Sequence, residues 1–321
     1  MKALVYEAPN RPVVKDVGRP SIGENDVLVR TRTVGICHSD FDLLSGNYIL
    51  PVAFPVTPGH EWTGEVAEVG SAVSGFSAGD RVVGECSVAD DEHFGFTVSG
   101  AAADYFRVPA AWLHHLPESL DDTMGALVEP FTVAYAATAG IDASDDVVIL
   151  GAGPIGLCSI ASSVGRGGRV IMVEPNADRR TIATDLGAAA TIDPTAVDLE
   201  DTIAELTDGR MASTVIEASG NPGAMAATLQ VAGYGAHLTN VGINVGDTAT
   251  ARLGLIVEKA LHIRGQVGSV GVWPAAIRFL GRIDADLSAL VTQRFPLSEA
   301  VDALHAAEDR SNNIKIHIVA D

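Results

Sequence analysis

The feature that most constrains this chain is the run Val147-Val148-Ile149-Leu150 leading straight into Gly151-Ala152-Gly153-Pro154-Ile155-Gly156. A buried strand that ends in a glycine-rich turn and continues as helix-compatible sequence starts a strand–helix–strand unit. The spacing of the glycines has a mechanical meaning there. The first permits the tight turn, the second lets the backbone approach a diphosphate, and the third lets the helix pack close to the strand. The helix start adds free N–H groups and the positive end of its dipole, which suit a phosphate. Further strand-like runs at 169–173, 214–218, 236–241 and 262–267, with helical stretches between them, predict a parallel sheet covered on both faces.

The second strand of that series ends at Glu174, 18 residues beyond Gly156. A carboxylate at this point can accept both hydroxyl hydrogens of an adenosine ribose and repels a 2′-phosphate, so NAD is expected in preference to NADP. Arg179 and Arg180 follow closely, and an arginine there can accommodate the extra phosphate. The cofactor candidates on this stretch are therefore Gly151, Gly153, Pro154, Ile155, Gly156, Glu174 and Arg179.

The first 110 residues have a different texture. Short strand-like runs at 2–7, 27–34, 64–69, 81–84 and 104–108 are separated by turns rich in Gly and Pro. Residues 121–139 read as a helix, or a kinked pair, interrupted at Pro130. The alternating run 313–319 ends the chain outside the strand–helix series. The fold class expected is α/β: a mostly-β domain over 1–140, rejoined by 288–321, and a doubly wound parallel-sheet (Rossmann) domain over 141–287.

Composition limits the partners. With 41 acidic against 21 basic residues the net charge is −20, which repels nucleic-acid backbones and anionic lipid. Neither a nucleic acid nor a membrane is an expected partner, and no apolar stretch reaches the roughly 20 residues of a membrane span. The opening MKALVYEAPN lacks the order of a secretory leader, and three scattered cysteines make no disulfide framework. A cytoplasmic location is expected.

Three short segments carry metal-ligating chemistry. Cys37 follows a strand in Gly35-Ile36-Cys37-His38-Ser39-Asp40; His60 and Glu61 lie at a strand entrance; Glu129 lies in Leu127-Val128-Glu129-Pro130. One thiolate, one imidazole and carboxylates make a plausible open zinc site with room for a substrate. Singly, Cys37 also reads as a small core residue, His60 as a turn histidine and Glu129 as a helix acid.

Together the segments resemble the zinc-dependent medium-chain alcohol dehydrogenases. The resemblance rests on Gly59-His60-Glu61-x-x-Gly64 with Gly70 and Val73 following, on Gly79-Asp80-Arg81-Val82, on Gly151–Gly156 and on Arg294-Phe295-Pro296-Leu297, and it spans essentially the whole chain. Leu127-Val128-Glu129-Pro130 is similar to the polyol branch, which includes sorbitol, threonine and aminocyclitol dehydrogenases. The resemblance implies a GroES-like catalytic domain and a zinc held by Cys37 and His60, with Glu61 and Glu129 as exchangeable carboxylates. It makes Asp40 the acid that orients His60, and Ser39 the hydroxyl that takes the alcohol proton. It puts His38 near the cofactor diphosphate, and Val241, Gly242, Ile243, Gln266 and Val267 beside the nicotinamide. A homodimer or homotetramer is implied as well.

Two departures qualify it. Where many relatives carry four cysteines for a structural zinc, this chain has Cys86 followed by Asp90-Asp91-Glu92-His93, so one catalytic zinc and no structural zinc are expected. Asp42 stands where many relatives carry a relay histidine. The expected function is hydride transfer between a secondary alcohol (a polyol, sugar or cyclitol) and NAD. Oxidation of L-threonine or a simple secondary alcohol is the alternative. Two further alternatives are a zinc-free reductase and a non-catalytic NAD-binding scaffold or sensor, both of which would lack the Cys37, His60 and Glu129 set.

Overall fold

The computed structural model describes residues 1–86 and 92–321. Two compact units emerge: Met1–Glu129 with Ser269–Arg282 and Leu287–Asp321, and Pro130–Gly268 with Ile283–Asp286.

In the first unit, β1 (Lys2–Ala8) and β2 (Arg11–Asp16) form an antiparallel pair. The main sheet holds β3 (Asp26–Gly35), β4 (Glu61–Val69), β5 (Arg81–Gly84), β6 (Tyr105–Pro109) and β7 (Leu113–His115). Strand β3 is the hub, bonded antiparallel to β4 and β6. Its inward residues Val27, Val29 and Val34 are at most 1% exposed and join Trp62, Phe94 and Phe106 in one core.

The second unit is the doubly wound sheet the glycine motif predicts. Its strands are β8 (Asp146–Leu150), β9 (Arg169–Val173), β10 (Ala190–Ile192), β11 (Ala212–Glu217), β12 (Ala232–Asn240) and β13 (His262–Gly265). Among the described residues the order is β10-β9-β8-β11-β12-β13, all parallel. All five residues of β8 are buried, as a central strand covered on both faces requires.

The chain then returns to the first unit. Strand β14 (Val291–Pro296) pairs parallel with β15 (Lys315–Val319), and β15 pairs antiparallel with β3. Several features differ from the sequence reading, among them the break between the units at Glu129–Pro130 rather than near 140. The sequence pattern does not mark the short strand β10. Residues 121–139 form two helices, Asp122–Ala126 and Val128–Ala137, that part at Leu127 rather than at Pro130. Pro130 lies in the first turn of the second helix, where its missing N–H has no intrahelical partner to lose. Segment Ser269–Arg282 groups with the first unit, although the texture of the sequence suggests a boundary at 288. Its helix Trp273–Leu280 buries Trp273, Ala276, Ile277 and Leu280, and the Trp273 ring stacks on His114 at 5.8 Å.

Candidate metal centre and nucleotide loop

Strand register assembles the first site. Glu61, the first residue of β4, pairs with Gly35, the last of β3. Cys37 lies two residues past that pair and His60 one residue before it. The antiparallel crossing therefore brings together candidate ligands more than twenty residues apart in sequence. Ligand atoms of Cys37, His60 and Glu61 all lie within 4.8 Å of one another. Gly35 is needed there, because a Cβ on it would stand 2.4 Å from a Glu61 carboxylate oxygen.

Asp40 lies against both Cys37 and His60. Cys37 caps the helix His38–Ser45, and its backbone N–H donates to Asp40 Oδ2 at 2.8 Å. Asp40 Oδ1 faces His60 Nδ1 at 3.5 Å, both side chains being 4% exposed. Neither of those two atoms has a hydrogen-bond partner. Burial lowers the pKa of His60, but the charge of Asp40 outweighs it and raises the pKa well above that of free histidine. An imidazole backed by a carboxylate, beside a cysteine sulfur and a second carboxylate, is a donor set suited to a catalytic zinc site.

The two carboxylates differ. Lys315 Nζ donates to both oxygens of Glu61, at 2.8 and 2.7 Å, and to the Ile36 carbonyl at 3.0 Å. Burial lowers the pKa of Lys315, but the charges of Glu61 and Cys37 raise it further, so the ammonium persists. Glu129, beside the start of the helix Val128–Ala137, is not among the three clustered ligands. Its carboxyl is pushed up to about 7, chiefly by burial, against the pull of His60 and with a further push from Glu61.

Sequence reasoning missed Lys315 and the position of Cys86. Lys315 is one of only four lysines and alternates with isoleucines in β15, the one signal that could have marked it. The sequence reading gives Cys86 no role, one cysteine being too few for a structural zinc site. Its thiol instead bonds the Phe94 carbonyl at 3.7 Å. Burial pushes it up to about 12, and the charges of His60, Glu129, Cys37 and Asp40 all act on it. Asp90 and Asp91 lie outside the described residues. Ser39 is half-buried on the first turn of the capped helix, with Asp42 one turn further on. His38 Nδ1 lies 2.5 Å from Arg310 Nη2.

The second site is the loop after β8. Gly151 has φ +97°, and a Cβ on Gly156 would lie 1.8 Å from the Gly151 carbonyl oxygen. A Cβ on Gly153 would meet no protein atom within 4 Å. That open space at the N-cap of the helix Pro154–Gly165 is the cradle a diphosphate needs. Glu174 is 7% exposed; it accepts from Ala152 N at 2.8 Å and from Asn176 N at 2.9 Å. Each carboxylate oxygen keeps a second lone pair for a ribose hydroxyl. The Arg179 backbone N–H bonds the Asn176 cap, and the Arg180 side chain is tied to the Glu174 and Pro175 carbonyls. Val241 and Gly242 follow β12, held by Glu217, whose backbone carbonyl accepts from both N–H groups. Ile243 and Val267 are exposed, and Gln266 donates to the Gly268 carbonyl.

A fold of this kind, carrying a thiolate–imidazole–carboxylate cluster and a glycine loop, defines an oxidoreductase of alcohols, and known proteins agree. Residues 23–118 match the alcohol dehydrogenase GroES-like domain and residues 154–282 the zinc-binding dehydrogenase family. A sorbitol dehydrogenase of Halalkalibacterium halodurans is 31% identical over 95% of this chain and 96% of its own. The 2R,3R-butanediol dehydrogenase of Bacillus subtilis has a TM-score of 0.89 at 27% identity, covering 100% of this chain and 99% of its own. A Sinorhizobium meliloti 1021 structure with NADP bound has a TM-score of 0.91 at 28% identity, covering 99% and 98%. The chain belongs to the zinc-dependent medium-chain alcohol dehydrogenases, in their polyol branch.

Proposed function

We propose that the protein oxidises a secondary alcohol bearing further hydroxyl groups (a polyol, sugar or cyclitol) with NAD, using one zinc per chain. The Cys37–His60–Glu61 cluster with its buried Asp40 carries the reading. When bound, zinc supplies Lewis acidity that lets an alcohol lose its proton near neutral pH, and the nicotinamide supplies the hydride acceptor. Cys37 and His60 would hold the metal, with Glu61 or Glu129 as the third ligand.

The chain's own residues do the rest. Asp40 fixes the Cys37 backbone and the His60 ring in one arrangement, so neither ligand must be reoriented. Lys315 balances the charge of Glu61 and restrains it, which makes exchange with Glu129 a matter of one ion pair. Ser39 would take the alcohol proton and pass it along the helix toward Asp42, through water. Glu174 supports NAD over NADP by its charge, and Arg179 limits the margin. With only Cys37, Cys86 and Cys158 in the chain, a four-thiolate structural site cannot be built. The sparse cysteines also support a cytoplasmic location.

The test combines metal analysis with turnover. The purified protein should hold about one zinc per chain and reduce NAD with sorbitol, 2,3-butanediol or a cyclitol. Cys37→Ser should lose the zinc and the turnover together while still binding NADH. Full zinc and full activity in that variant would remove the site; preference for L-threonine in the substrate panel would replace the polyol by the amino alcohol.

A further inference from the structure

Beyond the helix His38–Ser45, which ends at Gly46 with φ +80°, lies Tyr48, whose ring is linked through Phe96 to His60 of the candidate cluster. Its ring lies flat on Phe96, with centroids 4.3 Å apart and planes 4° from parallel. Phe96 is 2% exposed and in turn packs against the imidazole of His60 at 4.5 Å. His93 meets the Tyr48 ring edge-on at 6.5 Å. His60, Phe96 and Tyr48 thus form a continuous aromatic wall that starts at a metal ligand. Its outermost ring is half-buried and carries a hydroxyl.

The wall is rigid where it matters. Phe96 cannot move without disturbing the His60 ring, and the stacking fixes the plane of Tyr48. Burial raises the pKa of the phenol, and the charges of Cys86, His60, Cys37 and Asp40 all reach it. The group therefore stays a neutral O–H at working pH, able both to donate and to accept. Among the described residues, no protein group takes its hydrogen bond. A phenol so placed can read a second oxygen on a molecule whose first oxygen is at the metal cluster.

We propose that Tyr48 is a specificity-determining residue that hydrogen-bonds the hydroxyl neighbouring the reacting carbinol, and so selects vicinal diols and polyols over monohydric alcohols. This rests on the alcohol-oxidising reading above and narrows its substrate class. Tyr48 takes no part in proton or hydride movement. Its contribution is one hydrogen bond to a neutral partner, made in the bound substrate as well as in the reaction.

Tyr48→Phe tests it, because the ring and its stacking on Phe96 remain while only the oxygen is lost. The enzyme is compared with zinc content and melting temperature checked, on 2,3-butanediol and on 2-butanol. A neutral hydrogen bond is worth about 0.5–1.5 kcal/mol. The ratio of kcat/KM for the diol to that for the monohydric alcohol should therefore fall by about 2–12-fold in Tyr48→Phe. The loss should lie mainly in KM. The dissociation constant of the diol for the NADH-bound enzyme, read by calorimetry, should rise by the same factor. A purely structural ring would leave ratio and dissociation constant unchanged, and either result overturns the proposal. Equal losses on both alcohols also overturn it. A wild type that oxidises 2-butanol but not the diol sinks the role of Tyr48 and the polyol reading, leaving alcohol oxidation standing. A zinc-loaded wild type inactive on every alcohol sinks all three.

Discussion

His317 shows how a single side chain records the charge of its surroundings. It lies on β15 two residues past Lys315, opposite Gly35 on one side and Arg294 on the other. It is completely buried, and neither ring nitrogen has a partner. Burial, then Lys315 and Arg294, lower its pKa to about 3. Unfolded, it takes a proton near pH 6.5. Between these values the unfolded chain binds a proton that the folded chain refuses. The contribution to stability is therefore full above about pH 6.5 and is lost as pH falls toward 3. His317→Leu should remove this dependence. In urea unfolding at pH 8, 6, 5 and 4, the variant's free energy should fall less steeply below pH 6, by about 1.4 kcal/mol per pH unit. Parallel slopes would show that His317 is charged in the fold. The same residue marks the limit of what the sequence tells. Cys37, and His60 with Glu61, are legible as candidates because two short local motifs carry them. Lys315 reaches Glu61 only through the pairing of β15 with β3, far away in sequence, and local spacing does not record that register.

At the level of elements, the strand–helix alternation was readable because buried parallel strands are continuous apolar runs and glycines punctuate them. It failed where that signal is weak. Strand β10 has three residues, too few for a pattern, and helix Trp273–Leu280 carries nothing to say which unit its apolar face will cover. The glycine loop allows fold and ligand to be separated. A Cβ at 156 strikes the Gly151 backbone, so Gly156→Ala should destabilise the second unit and lower the melting temperature. Gly153 has φ −75°, which any residue adopts, and open space beside it. Gly153→Ala should therefore melt as wild type yet bind NADH at least several-fold more weakly, because its Cβ occupies the space left for the diphosphate. Normal NADH affinity in Gly153→Ala would mean the diphosphate does not sit on this loop.

For the molecule as a whole, the sheet edge at β13 predicts self-association. Strand β13 is the last strand of its sheet, and all four of its residues are exposed. A bare edge invites pairing, and proteins usually guard it with proline, lysine or a bulge. Here Ile263 sits in the strand at 42% exposure, with Leu253 at 65%, Val257 at 84% and Val267 at 71% nearby. Charge argues the same way. In a chain of net charge −20, residues 259–268 include Lys259, His262 and Arg264 and no carboxylate, so two copies can meet here without acid facing acid. A two-fold axis would pair the strand antiparallel with its own copy and extend the sheet across both. Light scattering at micromolar concentration should give at least twice the chain's 33.3 kDa. Ile263→Lys puts a guarding charge on the edge of both copies at once, so the repulsion is doubled by symmetry, while the residue lies far in sequence from the glycine loop. The variant should halve the mass and keep its affinity for NADH. An assembly of unchanged mass would place the contact elsewhere, and a wild type of 33.3 kDa would make the exposed edge solitary.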